Sequence, residues 1–129
     1  NQPWKVGIQN PSALTDNAIY VIQNDNKDFL SIATSGEYRN FKLDSNNNKI
    51  SHTINPKTLS SIKSQALSVT VVHKRSATYA DALATAFNVI GYPESIDYAN
   101  NNNIALMLVT EIDGEYELIF SNEWYNLGL

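Results

Sequence analysis

The sequence predicts an α+β fold in which one principal helix accompanies a mainly antiparallel sheet. Short apolar segments rich in β-branched and aromatic residues fill most of the chain, and this composition is typical of strands. One stretch, residues 78–90, has the apolar spacing of a helix instead. Polar turns, above all Asp113-Gly114, join neighbouring strands directly, as antiparallel hairpins do.

The strand candidates of the first half follow one another as a meander. They are residues 4–8, 18–23, 29–34, 38–43, 49–54 and 67–73. The segment 44–48 is a polar hairpin tip whose asparagines tolerate positive φ, and residues 56–64 are interpreted as a polar loop. The last strand of this half alternates cleanly, which predicts a half-buried position.

The helix over 78–90 is predicted by apolar residues at helical spacing, and a stop signal follows at 91–93. Its apolar positions are Ala80, Leu83, Ala84, Phe87 and Ile90. Ser76 or Thr78 is the candidate N-cap, and Asp81 is expected in the first turn, where the helix dipole favours a carboxylate.

The last third of the chain predicts a short helix and a hairpin. The helix candidate is 93–99, and the strands 104–112 and 115–120 flank the Asp-Gly turn. The tail 122–129, which contains Trp124, is expected to pack as a turn or short helix.

Composition excludes several classes of function. The formal net charge is −4, which argues against a nucleic-acid surface, because such surfaces need clustered Lys and Arg. The absence of cysteine excludes disulfide scaffolds, thiolate metal sites and a Cys nucleophile, and two histidines are too few for a three-His zinc site. The chain begins with Asn1 rather than Met, which suggests a cut precursor, a longer protein or a cloning boundary.

Asp81 and Thr85 are the first candidates for chemistry. Four residues apart on a helix, their side chains fall on one face. A carboxylate and a hydroxyl are hard oxygen ligands suited to Mg²⁺. The alternative is structural: Asp81 caps the helix start and Thr85 faces a neighbouring strand. Spacing alone favours this second interpretation, because D-x-x-x-T is a weak pattern.

His52 is the second candidate. It ends a strand candidate beside a Pro-containing loop, where an imidazole could act as a general acid–base or contact a phosphate. An exposed strand histidine without a function fits the same pattern. His73 also ends a strand, but the basic pair 74–75 and the helix start follow it, and it is interpreted as a surface residue.

The third candidate is the segment 33–39, in which a strand leads into Ser35-Gly36. One glycine is far short of a P-loop or a dinucleotide fingerprint. Taken alone, the segment is better explained as a strand connection with Gly36 at a positive-φ position.

Five motifs, taken in their order, resemble the ApbE family of FAD:protein FMN transferases. They are W-K-V-G-I-Q-N-P (4–11), A-T-S-G-E-Y-R-N-F (33–41), H-T-I-N-P-K-T (52–58), S-V-T-V-V (68–72) and A-D-A-L-A-T-A (80–86). The resemblance covers about residues 4–110, nearly the whole chain.

The resemblance implies Mg²⁺-dependent transfer of FMN from FAD to a Ser or Thr hydroxyl of a target flavoprotein, with release of AMP. It also implies export and an N-terminal lipid anchor on the outer face of the bacterial cytoplasmic membrane, in the periplasm. Membrane contact is expected only through that anchor, which this chain lacks.

The resemblance also assigns roles to residues. It makes Asp81 and Thr85 the Mg²⁺ ligands, with the Ala84 position beside them, where alanine suggests leaner or backbone-assisted coordination. His52 matches the catalytic histidine of the motif, and Ile54 matches a position that lines the FAD site. The loop beneath the cofactor is matched by Thr34, Ser35 and Gly36.

Two departures from the family pattern bear on function. The motif H-x-I-x-P-x-T-G has a glycine where this chain has Leu59, which predicts altered substrate handling or weaker activity because φ freedom is lost. Family chains are also much longer, with the additional part before Asn1. Residues 1–129 are therefore expected to be the C-terminal portion of a flavin transferase domain, whose N-terminal half is a required partner.

Half of a composite site should be inactive alone. We expect His52 at the same cleft as Asp81 and one open surface, beside an apolar patch or a strand edge, that holds Thr34, His52, Ile54, Asp81 and Thr85. The segments 67–73 and 104–112 are apolar enough to lie at the centre of a sheet. Three other functions stay open at this point. They are an FAD-binding carrier, a metal-dependent FAD pyrophosphatase that releases FMN and AMP, and a structural α+β domain in which Asp81 is only a cap.

Overall fold

The computed structural model describes residues 2–12, 16–25, 28–38, 41–47, 49–62 and 66–129, apart from the side chains of Phe41 and Lys49. Its elements are β1 (Lys5–Gln9), β2 (Ala18–Gln23), β3 (Ser31–Gly36), β4 (Phe41–Leu43), β5 (Lys49–Ser51), β6 (Ile54–Asn55), β7 (Ser60–Ser61), β8 (Ala66–His73), α1 (Ala77–Ile90), α2 (Glu94–Asn101), β9 (Ala105–Ile112), β10 (Glu115–Phe120) and α3 (Asn122–Asn126). The predicted α+β class with one long helix is confirmed.

Four strands form the main sheet in the order β10-β9-β8-β3, and each neighbouring pair is antiparallel. Both central strands, β8 and β9, are buried on both faces over most of their length. The expectation that segments 67–73 and 104–112 lie at the centre of a sheet is therefore confirmed, whereas the half-buried position predicted for 67–73 is wrong because the sheet is covered on both faces there. The outer strands β3 and β10 complete this sheet within the described residues.

The helix α1 packs against one face of the sheet. Ala80, Ala84 and Phe87 are at most 1% exposed and form a cluster with Val69 and Val71 of β8. Their spacing of four and three residues places them on one side of the helix. Two alanines let the helix approach the sheet closely, and the buried phenylalanine ring contributes roughly 1.5–3 kcal/mol.

The β1–β2 hairpin and the C-terminal helix α3 cover the other face. The cluster on this side contains Ile8, Ile22, Val72, Ala105, Met107, Val109 and Trp124. The Trp124 ring is completely buried and lies 5.7 Å from the Tyr20 ring and 5.6 Å from the Phe120 ring. The predicted packing of the tail is confirmed.

The ends of α1 follow their local sequence signals, with one difference. Ser76 is the N-cap and accepts a hydrogen bond from the Tyr79 N–H at 3.1 Å. Gly91, at φ 80°, ends the helix and donates its N–H to the Phe87 carbonyl at 2.8 Å. The expectation that Asp81 lies in the first turn is wrong, because the helix begins at Ala77. No helix among the described residues is long and apolar enough to cross a membrane.

Residues 41–62 form two small strand pairs, β4 with β5 and β6 with β7, outside the main sheet. We refer to them as the β4–β7 segment. The predicted single strand 49–54 is wrong, since it breaks at His52 and Thr53. The predicted loop 56–64 contains the short strand β7, while residues 63–64 lie outside the described residues, as do positions 39–40 of the predicted strand 38–43.

The turns confirm two sequence signals and correct a third. Asp113 and Gly114 have φ of 52° and 84°, as a type I′ hairpin requires, and Asn47 has φ 66° in the β4–β5 tip. The interpretation of Gly36 as a positive-φ residue is wrong, because it lies within β3 in ordinary strand conformation. Leu59, by contrast, has φ 56°, so the position where the family motif has glycine is left-handed here.

Candidate functional site

Asp81 and Thr85 lie on the exposed side of α1. One further turn along the same side of the helix is Asn88, which is completely buried. Residues at i, i+4 and i+7 share a face of an α-helix, so these three side chains form one polar stripe. At about 1.5 Å per residue, Asn88 is about 10 Å from Asp81 along the helix axis. The stripe is open to solvent at its start and enters the protein at its end.

The structural alternative for Asp81 and Thr85 does not fit this geometry. The hydroxyl of Ser76 already caps the helix, and Asp81 lies beyond the first turn. Thr85 is exposed, so it is not packed against a strand. Neither helix capping nor packing against a strand therefore accounts for the polar side chains at these two positions.

Ala84 lies three residues after Asp81 and four before Asn88, so it borders the stripe on the edge that faces the core. It is completely buried in the core cluster under α1. A methyl group offers no ligand atom, so any contribution of Ala84 to a metal site would have to come from its backbone. Its assignment stays a prediction.

The donor set on α1 is suited to Mg²⁺, although it is incomplete. A carboxylate and a hydroxyl four residues apart supply two hard oxygens, and Mg²⁺ commonly keeps several water ligands. No group of three or more His, Asp or Glu side chains that could hold a metal occurs among the residues that the structure describes. Further ligands would have to come from water, substrate phosphates or another part of the protein.

His52 lies directly after β5, and its side chain is 60% exposed. Its Nδ1 atom is 3.4 Å from Oε2 of Glu37, whose side chain is only 15% exposed. The hydroxyls on both sides of His52 also donate to this carboxylate, Ser51 to Oε2 and Thr53 to Oε1, the latter at 2.6 Å. Glu37 therefore fixes the short connection on which the histidine lies.

Glu37 also connects this histidine to α1. Asn88 donates from Nδ2 to Oε1 of Glu37 at 3.1 Å. The polar stripe that begins at Asp81 thus ends at the carboxylate that contacts His52. The contacts from Asn88 to His52 favour a common cleft for His52 and the α1 residues, which stays a prediction.

The predicted cofactor loop is divided between the two faces of the sheet. Thr34 Oγ1 lies 2.9 Å from Thr70 Oγ1, its cross-strand partner. Thr70 pairs with Met107, which belongs to the cluster on the face opposite α1. The sheet therefore separates Thr34 from the helix α1, and the expectation that all the candidate residues share one open surface is wrong for Thr34.

Ser35 and Gly36 have different surroundings. Ser35 is the next residue along β3 and faces α1, where its Oγ lies 3.5 Å from Asn88 Nδ2. Gly36 is required by close approach, because a Cβ there would lie 2.6 Å from the Tyr38 ring and 3.1 Å from the Leu67 carbonyl oxygen. A glycine thus lets the chain pass beneath Tyr38 on its way to Glu37.

Ile54 is 54% exposed on β6, two residues after His52. An apolar side chain at this exposed position is available to contact a flavin ring, which remains a prediction. An exposed apolar groove is present, but its lining includes Ile22 and Ile32 of the cluster opposite α1, so the expected apolar patch beside the α1 residues stays a prediction. An open groove of about 950 Å³ is lined by Trp4 and Phe29, which are 88% and 68% exposed.

Sequence reasoning missed two residues of this site. Glu37 appeared only as a letter of the second motif, and Asn88 was one polar residue in an apolar helix pattern. A signal for Asn88 existed, because it lies next to Phe87 and four residues after Ala84, both predicted apolar positions of the helix, and a buried polar side chain there needs a partner. The partner itself, 51 positions earlier, could not be identified from spacing.

Solved flavin transferases have the same fold as this chain. The Vibrio cholerae flavin transferase ApbE superposes with a TM-score of 0.75 at 30% identity, over 96% of this chain and 37% of that one. An ApbE protein from Thermotoga maritima gives a TM-score of 0.78 at 25% identity, over 98% and 38%. The apo Pseudomonas stutzeri flavinyl transferase ApbE gives 0.76 at 27% identity, over 97% and 37%.

Sequence comparison gives the family. The ApbE family model matches residues 1–108, and the chain belongs to the ApbE family. A Haemophilus influenzae relative named FAD:protein FMN transferase is 30% identical over 89% of this chain, and one of the same name from Escherichia coli is 34% identical over 84%. The chain spans about one third of the length of the curated relatives it matches, 32% and 30% in these two cases.

Proposed function

We propose that the protein containing this chain is an FAD:protein FMN transferase and that residues 1–129 form the C-terminal portion of its transferase domain. The curated relatives carry this name, which supports flavin transfer. The observation that carries the proposal within this chain is that Asp81 and Thr85 share a helix face with Asn88, whose amide hydrogen-bonds Glu37, the carboxylate that contacts His52.

In the proposed reaction, the hydroxyl oxygen of a Ser or Thr on a target flavoprotein attacks the FMN phosphorus of FAD. A P–O bond forms between the hydroxyl oxygen and that phosphorus. The bond from phosphorus to the bridging oxygen of the pyrophosphate breaks, and AMP leaves with that oxygen. His52 accepts the proton that the attacking hydroxyl loses, as a general base does.

Asp81 and Thr85 are proposed to hold Mg²⁺ by their side-chain oxygens. When bound, the ion supplies positive charge to the pyrophosphate oxygens, which otherwise repel the attacking oxygen and carry increasing charge in the transition state. Exposure of both side chains on α1 is consistent with a site shared between this chain, substrate and solvent.

We also propose that the complete protein works outside the cytoplasmic membrane of a bacterium, held by an N-terminal lipid anchor that precedes this chain. Fractionation of cells that express the complete protein tests this location. Recovery in the cytosolic fraction after gentle lysis would overturn it.

A product assay tests the proposed function. The full-length protein is incubated with FAD, MgCl₂ and a flavoprotein subunit that carries covalent FMN in its mature form, supplied without flavin. We expect a fluorescent acceptor band and one AMP per flavin attached. Free FMN with AMP would indicate a pyrophosphatase, and tight FAD binding without either product would indicate a carrier.

Matched variants locate the activity in the site described here. Thr85→Val removes the hydroxyl from the α1 stripe without changing the shape of the side chain, and it should raise the Mg²⁺ concentration needed for transfer. Asp97→Ala removes an exposed carboxylate from α2 and serves as the control. Equal effects of both variants would exclude a specific metal role for the stripe.

A further inference from the structure

We propose that Glu37 is the positioning residue of His52, holding its imidazole in the tautomer that can accept a proton at Nε2. The catalytic consequence rests on the proposed function, whereas the tautomer can be measured without any activity. Four side chains contact the Glu37 carboxylate: Ser51, His52, Thr53 and Asn88.

The facing atoms determine which imidazole nitrogen carries the hydrogen. Glu37 Oε2 lies 3.4 Å from His52 Nδ1, and a carboxylate oxygen accepts hydrogen bonds but does not donate them. The neutral imidazole is therefore favoured with its hydrogen on Nδ1. Nε2 then carries the lone pair, and that lone pair takes the proton from the acceptor hydroxyl.

His73 is an internal comparison, because its Nδ1 faces hydrogen-bond donors and not an acceptor. Its Nδ1 accepts from the backbone N–H groups of Arg75 at 3.2 Å and Ser76 at 3.0 Å. An accepting Nδ1 places the hydrogen on Nε2. The structure thus predicts two histidines in opposite tautomers, and the carboxylate of Glu37 is the cause of the difference.

Glu37 also restricts the position of the His52 backbone. The hydroxyls of Ser51 and Thr53, one on each side of the histidine, donate to different oxygens of the same carboxylate. Ser51 Oγ in turn accepts the Thr53 N–H at 2.9 Å. Both oxygens of Glu37 are engaged by these donors and by Asn88, so the carboxylate is arranged as a structural acceptor and not as a metal ligand.

Asn88 fixes Glu37 relative to α1. Its side chain is completely buried, and its Nδ2 donates to Oε1 of the carboxylate at 3.1 Å. A buried amide that loses its partner destabilises the protein, so this contact resists displacement of Glu37. The histidine is thereby kept in register with the helix that carries Asp81 and Thr85, although it lies on a different segment.

The first experiment reads the tautomers directly. Full-length protein labelled with ¹⁵N-histidine is studied by long-range ¹H–¹⁵N spectroscopy, about two units above the ordinary imidazole pKa of about 6.5. His52 and His73 signals are assigned from their loss in His52→Ala and His73→Gln. We expect His52 in the Nδ1–H form and His73 in the Nε2–H form, and we expect Glu37→Gln to change only His52, to the Nε2–H form.

The second experiment measures the catalytic consequence. Glu37→Gln should lower kcat for transfer about a hundredfold, since a wrong tautomer loses much of the roughly 10²–10⁴-fold that proton transfer contributes. KM for FAD should change little, because Glu37 does not contact the substrate in this proposal. In a His52→Ala background, Glu37→Gln should have almost no further effect, because both changes remove the same contribution.

Two results would overturn the proposal. One is a Glu37→Gln protein in which His52 keeps its Nδ1–H tautomer. The other is a full kcat loss from Glu37→Gln on top of His52→Ala, which would mean that Glu37 acts independently. Thermal unfolding of each variant shows whether activity is lost through misfolding. If Glu37→Gln does not fold, the double variant Ser51→Ala with Thr53→Val replaces it, because it removes two donors and keeps the carboxylate. If wild type flavinylates no acceptor, the proposed function fails, while the tautomer comparison still decides the role of Glu37.

Discussion

The helix α1 and the β4–β7 segment carry the two halves of the candidate chemistry, and they are supported in different ways. α1 lies on a central sheet, with Ala80, Ala84 and Phe87 buried beneath it. The β4–β7 segment consists of strand pairs of two or three residues, and His52 in it is 60% exposed. A rigid helix therefore presents the metal candidates, whereas hydrogen bonds to one carboxylate position the histidine.

Because they are supported in different ways, α1 and the β4–β7 segment should respond differently to mutation. Changes beneath α1 should act on stability, and activity should follow only through unfolding. Changes of His52 itself should act on the chemical step with little cost in stability, because its side chain is 60% exposed.

The largest expected effect is that of His52→Ala in the full-length protein. Transfer should fall by roughly 10²–10⁴-fold, the usual contribution of a general base, while FAD affinity stays close to wild type. Initial rates and FAD titration measure the two quantities separately. Parallel losses in both would reassign His52 to cofactor binding, and His73→Gln is the histidine control.

Phe87→Ala tests the expectation that changes beneath α1 act on stability. Removing this completely buried ring should lower the free energy of unfolding by about 3–5 kcal/mol, because it leaves a cavity under α1. Ile54→Ala, at a position 54% exposed, should cost much less. Denaturant titration measures both, and similar losses would show that the β4–β7 segment packs as tightly as the helix.

Asp81→Ala should have an intermediate effect. The Mg²⁺ concentration for half-maximal transfer should rise about 10- to 100-fold, as it does when metal-site residues are removed. Stability should change little, since Ser76 and not Asp81 caps the helix. Magnesium titration and thermal unfolding check the two statements, and an unfolded variant would restore the structural interpretation of Asp81.

The smallest expected effect is a gain in stability from Leu59→Gly. Leu59 has φ 56° and is 82% exposed, so it bears the cost of a left-handed conformation without burying its side chain. Glycine should stabilise the protein by about 0.5–1 kcal/mol after its greater unfolded-state entropy is subtracted. Lys57→Gly, in the same turn but without positive φ, should destabilise the protein. Destabilisation by Leu59→Gly together with stabilisation by Lys57→Gly would contradict backbone strain at Leu59.

The elements of the main sheet and α1 could be predicted from sequence because each has a strong local signal. The strand 18–23 and the Asp113-Gly114 hairpin follow from residue type and spacing alone, and the same signals limited the N-cap of α1 to Ser76 or Thr78, of which the structure has Ser76. The single strand 49–54 failed because two hydrogen bonds to Glu37, 14 and 16 residues away, hold Ser51 and Thr53 and break the strand between them.

The site was predictable to a similar extent. Motif resemblance singled out His52, Asp81 and Thr85, and their roles stay predictions. It did not find Asn88, whose role depends on a contact made only after β3 and α1 pack together. It also placed Thr34 with the α1 residues. This was wrong because the register of β3 with β8, which the motif does not give, decides the face on which Thr34 lies.

The two tryptophans of residues 1–129 occupy opposite extremes of environment, and this makes the 129-residue chain its own optical reporter. Trp4 is 88% exposed at the open groove, whereas Trp124 is completely buried against Tyr20 and Phe120. Emission from the first tracks whatever covers the groove, and emission from the second changes only when the core opens. Docking and unfolding can therefore be followed in one cuvette without a label, with Trp4→Phe separating the two signals.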